Sequence, residues 1–227
     1  MSPLEWQAVK LSLLTGSLAV LISLPPAIAV AYLLARWESR GRFLLETLVN
    51  LPLVLPPVVT GFLLLTLFGR RGPVGAALEQ TLGIRIAFTW RGAVLAGAVL
   101  GFPLMVRAIR ISFQGVSPRL EAAARGLGAG WWRAFFTVSL PLASRGVIAG
   151  SVLAFARALG EFGATIMLAG NIVGQTQTIP LAIYSAAQRP DGAQESWRLV
   201  IVSIVIASGA LLVSEILERR GRDRQLA

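Results

Sequence analysis

Neither cysteine nor histidine occurs among the 227 residues. That excludes disulfides, thiol nucleophiles, histidine acid–base catalysis and nearly all zinc, haem and iron–sulfur ligation. Charge is scarce too. Asp, Glu, Lys and Arg make up 14% of the chain, where a soluble domain carries about 25%. Lys10 is the only lysine among 21 basic residues, and 11 acids leave a net charge of +10. The glycine-rich GLGAG (126–130) follows no strand and lacks the Gly-Lys-Ser/Thr ending of a phosphate loop, an ending found nowhere in the chain. No paired carboxylates mark a soluble cleft. The sequence therefore offers no catalytic residue and no metal ligand, and any ATP hydrolysis has to come from another polypeptide.

What the chain does have is apolar length. Hydrophobic residues make up 55% of it, and mean hydropathy is +0.71. Residues 11–35 and 47–69 carry no formal charge, and each run is long enough to cross the hydrocarbon layer. The first reads as a span rather than a cleavable leader, because it lacks a basic start beyond Lys10 and a small-residue cleavage site. The arginines then mark cytoplasmic loops and anionic headgroups rather than nucleic acid.

Five hydrophobic segments follow: 7–35, 43–68, 88–111, 145–169 and 197–217. A shorter helix over 179–188, in glycine-bearing polar surroundings, suggests a re-entrant piece. The expectation is an all-α integral membrane protein with five to six spans, one domain over 7–217 and a basic tail over 218–227. A five-span layout puts thirteen arginines on one side: Arg36, Arg40, Arg42, Arg107, Arg110, Arg119, Arg125, Arg133, Arg145, Arg219, Arg220, Arg222 and Arg224. By the positive-inside rule that side is cytoplasmic and the N-terminus is outside. Arg70, Arg71, Arg85 and Arg91 fall outside and resist this layout; an extra half-span would move the N-terminus. Arg70 and Arg71 suit either anion steering or headgroup contact.

The stretch LEAAARGLGAGWWRAFFTVSLP (120–141) interrupts the apolar pattern. Ser117-Pro118 reads as a helix start, with Glu121 in the first turn, where the helix dipole favours a carboxylate. Leu120, Ala123, Ala124 and Leu127 share one helical stripe. Glycines 126, 128 and 130 end that helix. A second helix over 131–137 stops before Pro141. The small first stripe admits the close approach of another protein, and the aromatics hold the piece to the membrane domain.

This stretch resembles the Glu-Ala-Ala loop of ABC importer permeases: Glu-Ala-Ala, three residues, Gly, nine residues, Ile, one residue, Leu-Pro. Gly128 is followed by nine residues, then Val138, Ser139, Leu140 and Pro141, with Val in place of Ile. The register puts Ala122, Ala123 and Ala124 in the Glu-Ala-Ala positions, so Glu121 stands one residue early. NLPLVLPPVVTGFLLLTLFGRRGPVG (50–75), WRGAVLAGAVLGFPLMVRAIR (90–110) and FARALGEFGATIMLAGNIVGQTQTIPLAIY (155–184) are similar to the molybdate/tungstate permeases of that class, the ModB type, which are related to sulfate permeases. The resemblance covers nearly the whole chain. It implies the type I permease fold with a cytoplasmic coupling helix, in a bacterial or archaeal cytoplasmic membrane. The implied partners are a second copy of the chain, a separate ATPase that binds ATP and Mg²⁺, and an external oxyanion-binding protein. The implied coupling residues are Glu121, Ala122, Ala123, Ala124, Leu127, Gly128, Ala129, Trp132, Phe135, Leu140 and Pro141. Sulfate or another oxyanion is the alternative cargo.

Inside the membrane, Arg157 and Glu161 share a helix face. They suit a pair beside the pore or gate, or a structural tie to Thr60, Asn50 or a backbone carbonyl. An ion-coupled secondary transporter could use the same pair as a relay, but no internal repeat of the usual kind is visible. Pathway donors for an oxyanion are expected at Thr60, Thr165, Asn171, Thr176 and Thr178, with no tight anion site in this chain. The prolines of LPLVLPPVVTG suggest a broken helix, in the bundle interior or as a packing kink.

Overall fold

A computed structural model describes residues 1–39 and 41–226, with backbone only at 213–214 and 217–226. Arg40 lies outside the described residues, and so do the side chains of Arg219, Arg220, Arg222 and Arg224. The described chain is helical with no strand.

α1 (Pro3–Arg36) starts with a capping box: the Ser2 hydroxyl accepts from Glu5 N, and the Glu5 carboxylate accepts from Ser2 N. The second hydrophobic segment divides into α2 (Arg42–Val54) and α3 (Pro57–Phe68), which meet at 110°. Pro56 and Pro57 explain the break. Each proline drives the residue before it into extended backbone, and Leu55 and Pro56 have ψ of 142° and 135°. α4 (Pro73–Leu82) was not evident from periodicity; Pro73 opens it and Gly83, at φ 65°, closes it.

α5 (Trp90–Gly115) is the central helix. It packs on α1 through Met105, Val106, Ile109 and Phe113 against Ala27, Ala31 and Leu34. It also packs extensively on α9 (Ser144–Leu159), and small residues let these two come close. A Cβ on Gly97 would lie 2.9 Å from the Ala158 Cβ, and one on Gly150 would lie 2.9 Å from the Met105 carbonyl oxygen.

Between them run α6 (Pro118–Gly126), α7 (Trp131–Ala134), a π-helical turn (Phe135–Ser139) and α8 (Leu140–Leu142). The second helix of this stretch therefore does not stop before Pro141. The π turn, in which Leu140 N donates to the Phe135 carbonyl, carries the helix into Pro141, and the chain bends by 68° only at Ala143. The fourth hydrophobic segment is likewise not one helix. It ends at Leu159, breaks at 160–162 and resumes as α10 (Gly163–Leu168). α11 (Ile179–Ala187) and α12 (Ala193–Leu226) complete the fold. Among the described residues, three helices are long and apolar enough to cross a membrane, or up to five if each bent pair is one span.

Candidate coupling segment and polar interior

Pro118 sets the first turn of α6, and the Ser117 hydroxyl makes no cap bond there. Glu121 turns inward. It accepts from Arg36 Nη2 at 2.7 Å, the Ser139 hydroxyl at 2.6 Å and the Tyr32 hydroxyl at 2.9 Å. Arg36 also donates to the Val116 carbonyl at 3.1 Å. One carboxylate thus fastens α6 to the end of α1 and to the π turn. Burial works to raise its pKa, but the hydrogen bonds from Ser139, Arg36 and Tyr32 and the Arg36 charge outweigh this and hold it below the ordinary glutamate value.

The aromatics divide into two sets. Phe135 is buried. It stacks on Trp131 at 5.7 Å, and Tyr32 meets it edge-on at 5.0 Å. Phe113 lies 5.3 Å from Tyr32. Trp132 and Phe136 face outward. The outer surface of α6 presents Leu120, Ala122 and Ala123, and Leu127 at its end is 90% exposed. Gly128, at φ 89°, makes the turn, closed by Ala129 N donating to the Ala124 carbonyl at 3.1 Å. Ala124 and Ala129 are half-buried, as is Leu140, while Pro141 is exposed. Sequence reasoning missed Arg36, Tyr32 and Ser139. Arg36 counted only as a topology marker, and Ser139 fills the unspecified position before Leu140.

Arg157 and Glu161 do pair, across the break that ends α9. The second Glu161 oxygen accepts from Ala164 N at 2.7 Å, so the carboxylate also caps α10. The tie to Thr60 or Asn50 is absent: the Thr60 hydroxyl is buried with no partner, and Asn50 donates to the Glu46 carbonyl at 2.7 Å. Thr60 still lies close, because α3 crosses α10 where Gly61 meets Ala164. A Cβ there would come 2.6 Å from the Ala164 Cα. Thr165 is buried on the same short helix.

The remaining pathway candidates form a second group, linked to the first by Phe162 against Tyr184 at 5.1 Å. Asn171 donates to Ser185 at 2.8 Å and accepts from Gln177 at 3.0 Å. The Thr176 hydroxyl accepts from Ile172 N at 2.9 Å. Thr178 stands at the N-cap of α11, yet Ser12 of α1 performs the capping, accepting from Ile179 N at 2.7 Å. The Thr178 hydroxyl is left buried without a partner. Buried unpaired hydroxyls are uncommon; among the described residues Thr60 and Thr178 each carry one, and the Arg36 Nε is likewise buried without a partner.

Residues 27–223 match the model of the family described as the inner membrane component of binding-protein-dependent transport systems. The chain is 58% identical over 220 residues to the molybdenum transport system permease protein ModB of Escherichia coli (strain K12), covering 97% of this chain and 96% of that one. Identity to the protein of the same name from Haemophilus influenzae is 51% over 217 residues, covering 96% and 95%. Among solved structures, a chain of a bacterial alginate ABC transporter in complex with its pentasaccharide-bound periplasmic protein superposes with a TM-score of 0.73. That match has 19% identity and covers 97% of this chain and 80% of that one. At that identity the likeness concerns the fold.

Proposed function

The chain belongs to the inner membrane components of binding-protein-dependent transport systems, among their molybdenum permeases, and on that premise we propose that it carries molybdate or tungstate across the bacterial cytoplasmic membrane by alternating access. The chain is not itself catalytic. A separate ATPase binds ATP and Mg²⁺, an external binding protein delivers the anion, and a second copy of the chain completes the pore.

The observation that carries this reading is the construction of residues 117–141. α6 presents small and apolar side chains outward, with Leu127 at its tip, while Glu121 fastens its inner face to α1 and the π turn. A surface seated in the ATPase at Leu120, Ala122, Ala123 and Leu127 moves this piece as a unit. Glu121 and Phe135 pass the displacement to α1 and, through the 68° bend, to α9. ATP binding favours the outward state only by the differential free energy that enters here. Thr60 and Thr178 offer the passing oxyanion hydroxyls without the lasting hold of a buried arginine.

Because the chain has no cysteine, it contributes no background thiol to the test. A cysteine at Leu127 or Ala123 crosslinks to a cysteine in the ATPase groove and arrests hydrolysis until reduced, whereas one at buried Ala134 does not. Molybdate or tungstate presented by the binding protein stimulates hydrolysis in the uncrosslinked complex. Failure of every outward position to crosslink, with uptake surviving deletion of the loop, overturns the reading.

A further inference from the structure

A polar cavity of about 430 Å³ lies between α2 and α5, near the end of α1 that Glu121 grips. Its polar walls are Glu46 and Asn50 from α2 and Arg107, Arg110 and Gln114 from α5. The spacings of three, four and seven residues put each set on one helix face. Arg110 is paired with Glu46 at 2.7 Å, and Glu46 also lies 3.8 Å from Arg42. Arg107 has no ion pair and no side-chain hydrogen bond among the described residues, so its five N–H donors are unspent. Arg42, Arg107 and Arg110 face one acid here. Asn50 uses one amide hydrogen on the Glu46 carbonyl and keeps the other.

We propose that this cavity is a low-affinity station for a tetrahedral oxyanion group, with Arg107 as the primary ligand and Arg110 recruited from Glu46. The chemistry fits the donor set. Such a group has only acceptors, and the walls hold unspent donors with excess positive charge. Weak binding follows from the same geometry. Arg107 is exposed to solvent and Glu46 already neutralises Arg110, so an arriving anion competes with an existing partner and leaves readily. The inference rests on the importer reading, in which the cavity faces the cytoplasmic end and the anion is cargo leaving the pore for the cytoplasm. A phosphate diester of an anionic lipid presents the same chemistry and is the other source.

The test uses the nucleotide-free permease–ATPase complex in phosphatidylcholine nanodiscs. Equilibrium dialysis against sodium tungstate measures bound metal. Saturable binding falls at least about tenfold in affinity in Arg107→Gln and rises about 3–10-fold in Glu46→Gln, the scale of one charge near a protein surface. Any tungstate on the ATPase is unaffected by these variants and is subtracted. Arg107→Lys retains part of the binding, and unchanged thermal unfolding of Arg107→Gln separates ligation from misfolding. In a second arm, nanodiscs containing phosphatidylglycerol are analysed by native mass spectrometry. Lipid retention that follows the same variants, with no tungstate binding, identifies the headgroup as the source of the oxyanion. If neither probe responds to either substitution, the station does not exist. Hydrolysis stimulated by the loaded binding protein, measured on the same preparation, tests the importer reading separately.

Discussion

Glu121 shows how one side chain sets the behaviour of a whole segment. Two of its three donors come from α1 and the third from the π turn, so Glu121→Ala releases α6 from both at once. The expected result is continued ATP hydrolysis with much reduced uptake, seen as a fall in anion transported per ATP. The pH dependence has a definite sign. A carboxyl whose folded pKa is depressed contributes stability that is fully present above its unfolded value, about 4.3, and lost as pH falls through the lower folded value. Proteolysis within 117–141 should therefore accelerate only below about pH 4, and Glu121→Gln should remove that step. Glu161 divides its oxygens between Arg157 and the start of α10. Glu161→Ala loses both contacts and should destabilise the protein by about 2–4 kcal/mol, read as a lower unfolding temperature in detergent. Glu161→Gln keeps an acceptor for Ala164 and should lose less. If Glu161→Gln left both uptake and assembly untouched, neither a gate nor a structural role for the pair would stand.

At the scale of elements, two neighbouring glycines separate backbone conformation from space. No atom outside the local backbone lies within 4 Å of a Cβ built on Gly126 or on Gly128. Only Gly128 has a positive φ, 89°. Gly128→Ala should therefore strain the turn by about 1–2 kcal/mol and shift the docking angle of α6, lowering ATPase stimulation. Gly126→Ala should be neutral or slightly stabilising. The α3–α10 crossing poses the opposite problem. A methyl on Gly61 meets the Ala164 Cα at 2.6 Å and the Met167 Cβ at 2.8 Å. Gly61→Ala should cost about 1–3 kcal/mol through overpacking and slow transport by pushing α10, and Glu161 with it, away from Thr60.

Across the whole molecule, α1 acts as a strap held at both ends. Near its start, Glu5 has a fully buried carboxylate bonded by Arg198 of α12 at 2.7 and 3.0 Å. Near its end, Arg36 holds Glu121. Within its first third, Ser12 caps α11. The first helix thus joins α12, α11 and α6. Arg198→Ala strips the guanidinium from a buried carboxylate, leaving Oε1 without its partner, and should lower the unfolding temperature. Adding Glu5→Gln should recover part of the loss, because the uncompensated charge is then gone. Simple additivity of the two substitutions would refute the pairing. That strap was only half legible in the sequence. Ser2-Pro3-Leu4-Glu5 spells a capping box, but the partner of Glu5 lies 193 residues away, beyond any local pattern.

By itself the sequence determined that this is a helical membrane protein. Hydrophobic length fixes membrane insertion, and the absence of histidine, cysteine and a phosphate loop removes the usual catalytic machinery. The spacing around Gly128 located the segment that leaves the bundle, because a helix start, a glycine turn and an aromatic run are all local signals. Tertiary structure decided the rest. It turned Glu121 inward, broke the fourth apolar segment at Glu161, and left the hydroxyls of Thr60 and Thr178 buried without partners among the described residues. It also brought Arg107 and Asn50 to the walls of one cavity. Each outcome depends on which distant helix supplies or withholds a hydrogen-bond partner, and neither apolar periodicity nor composition encodes that choice.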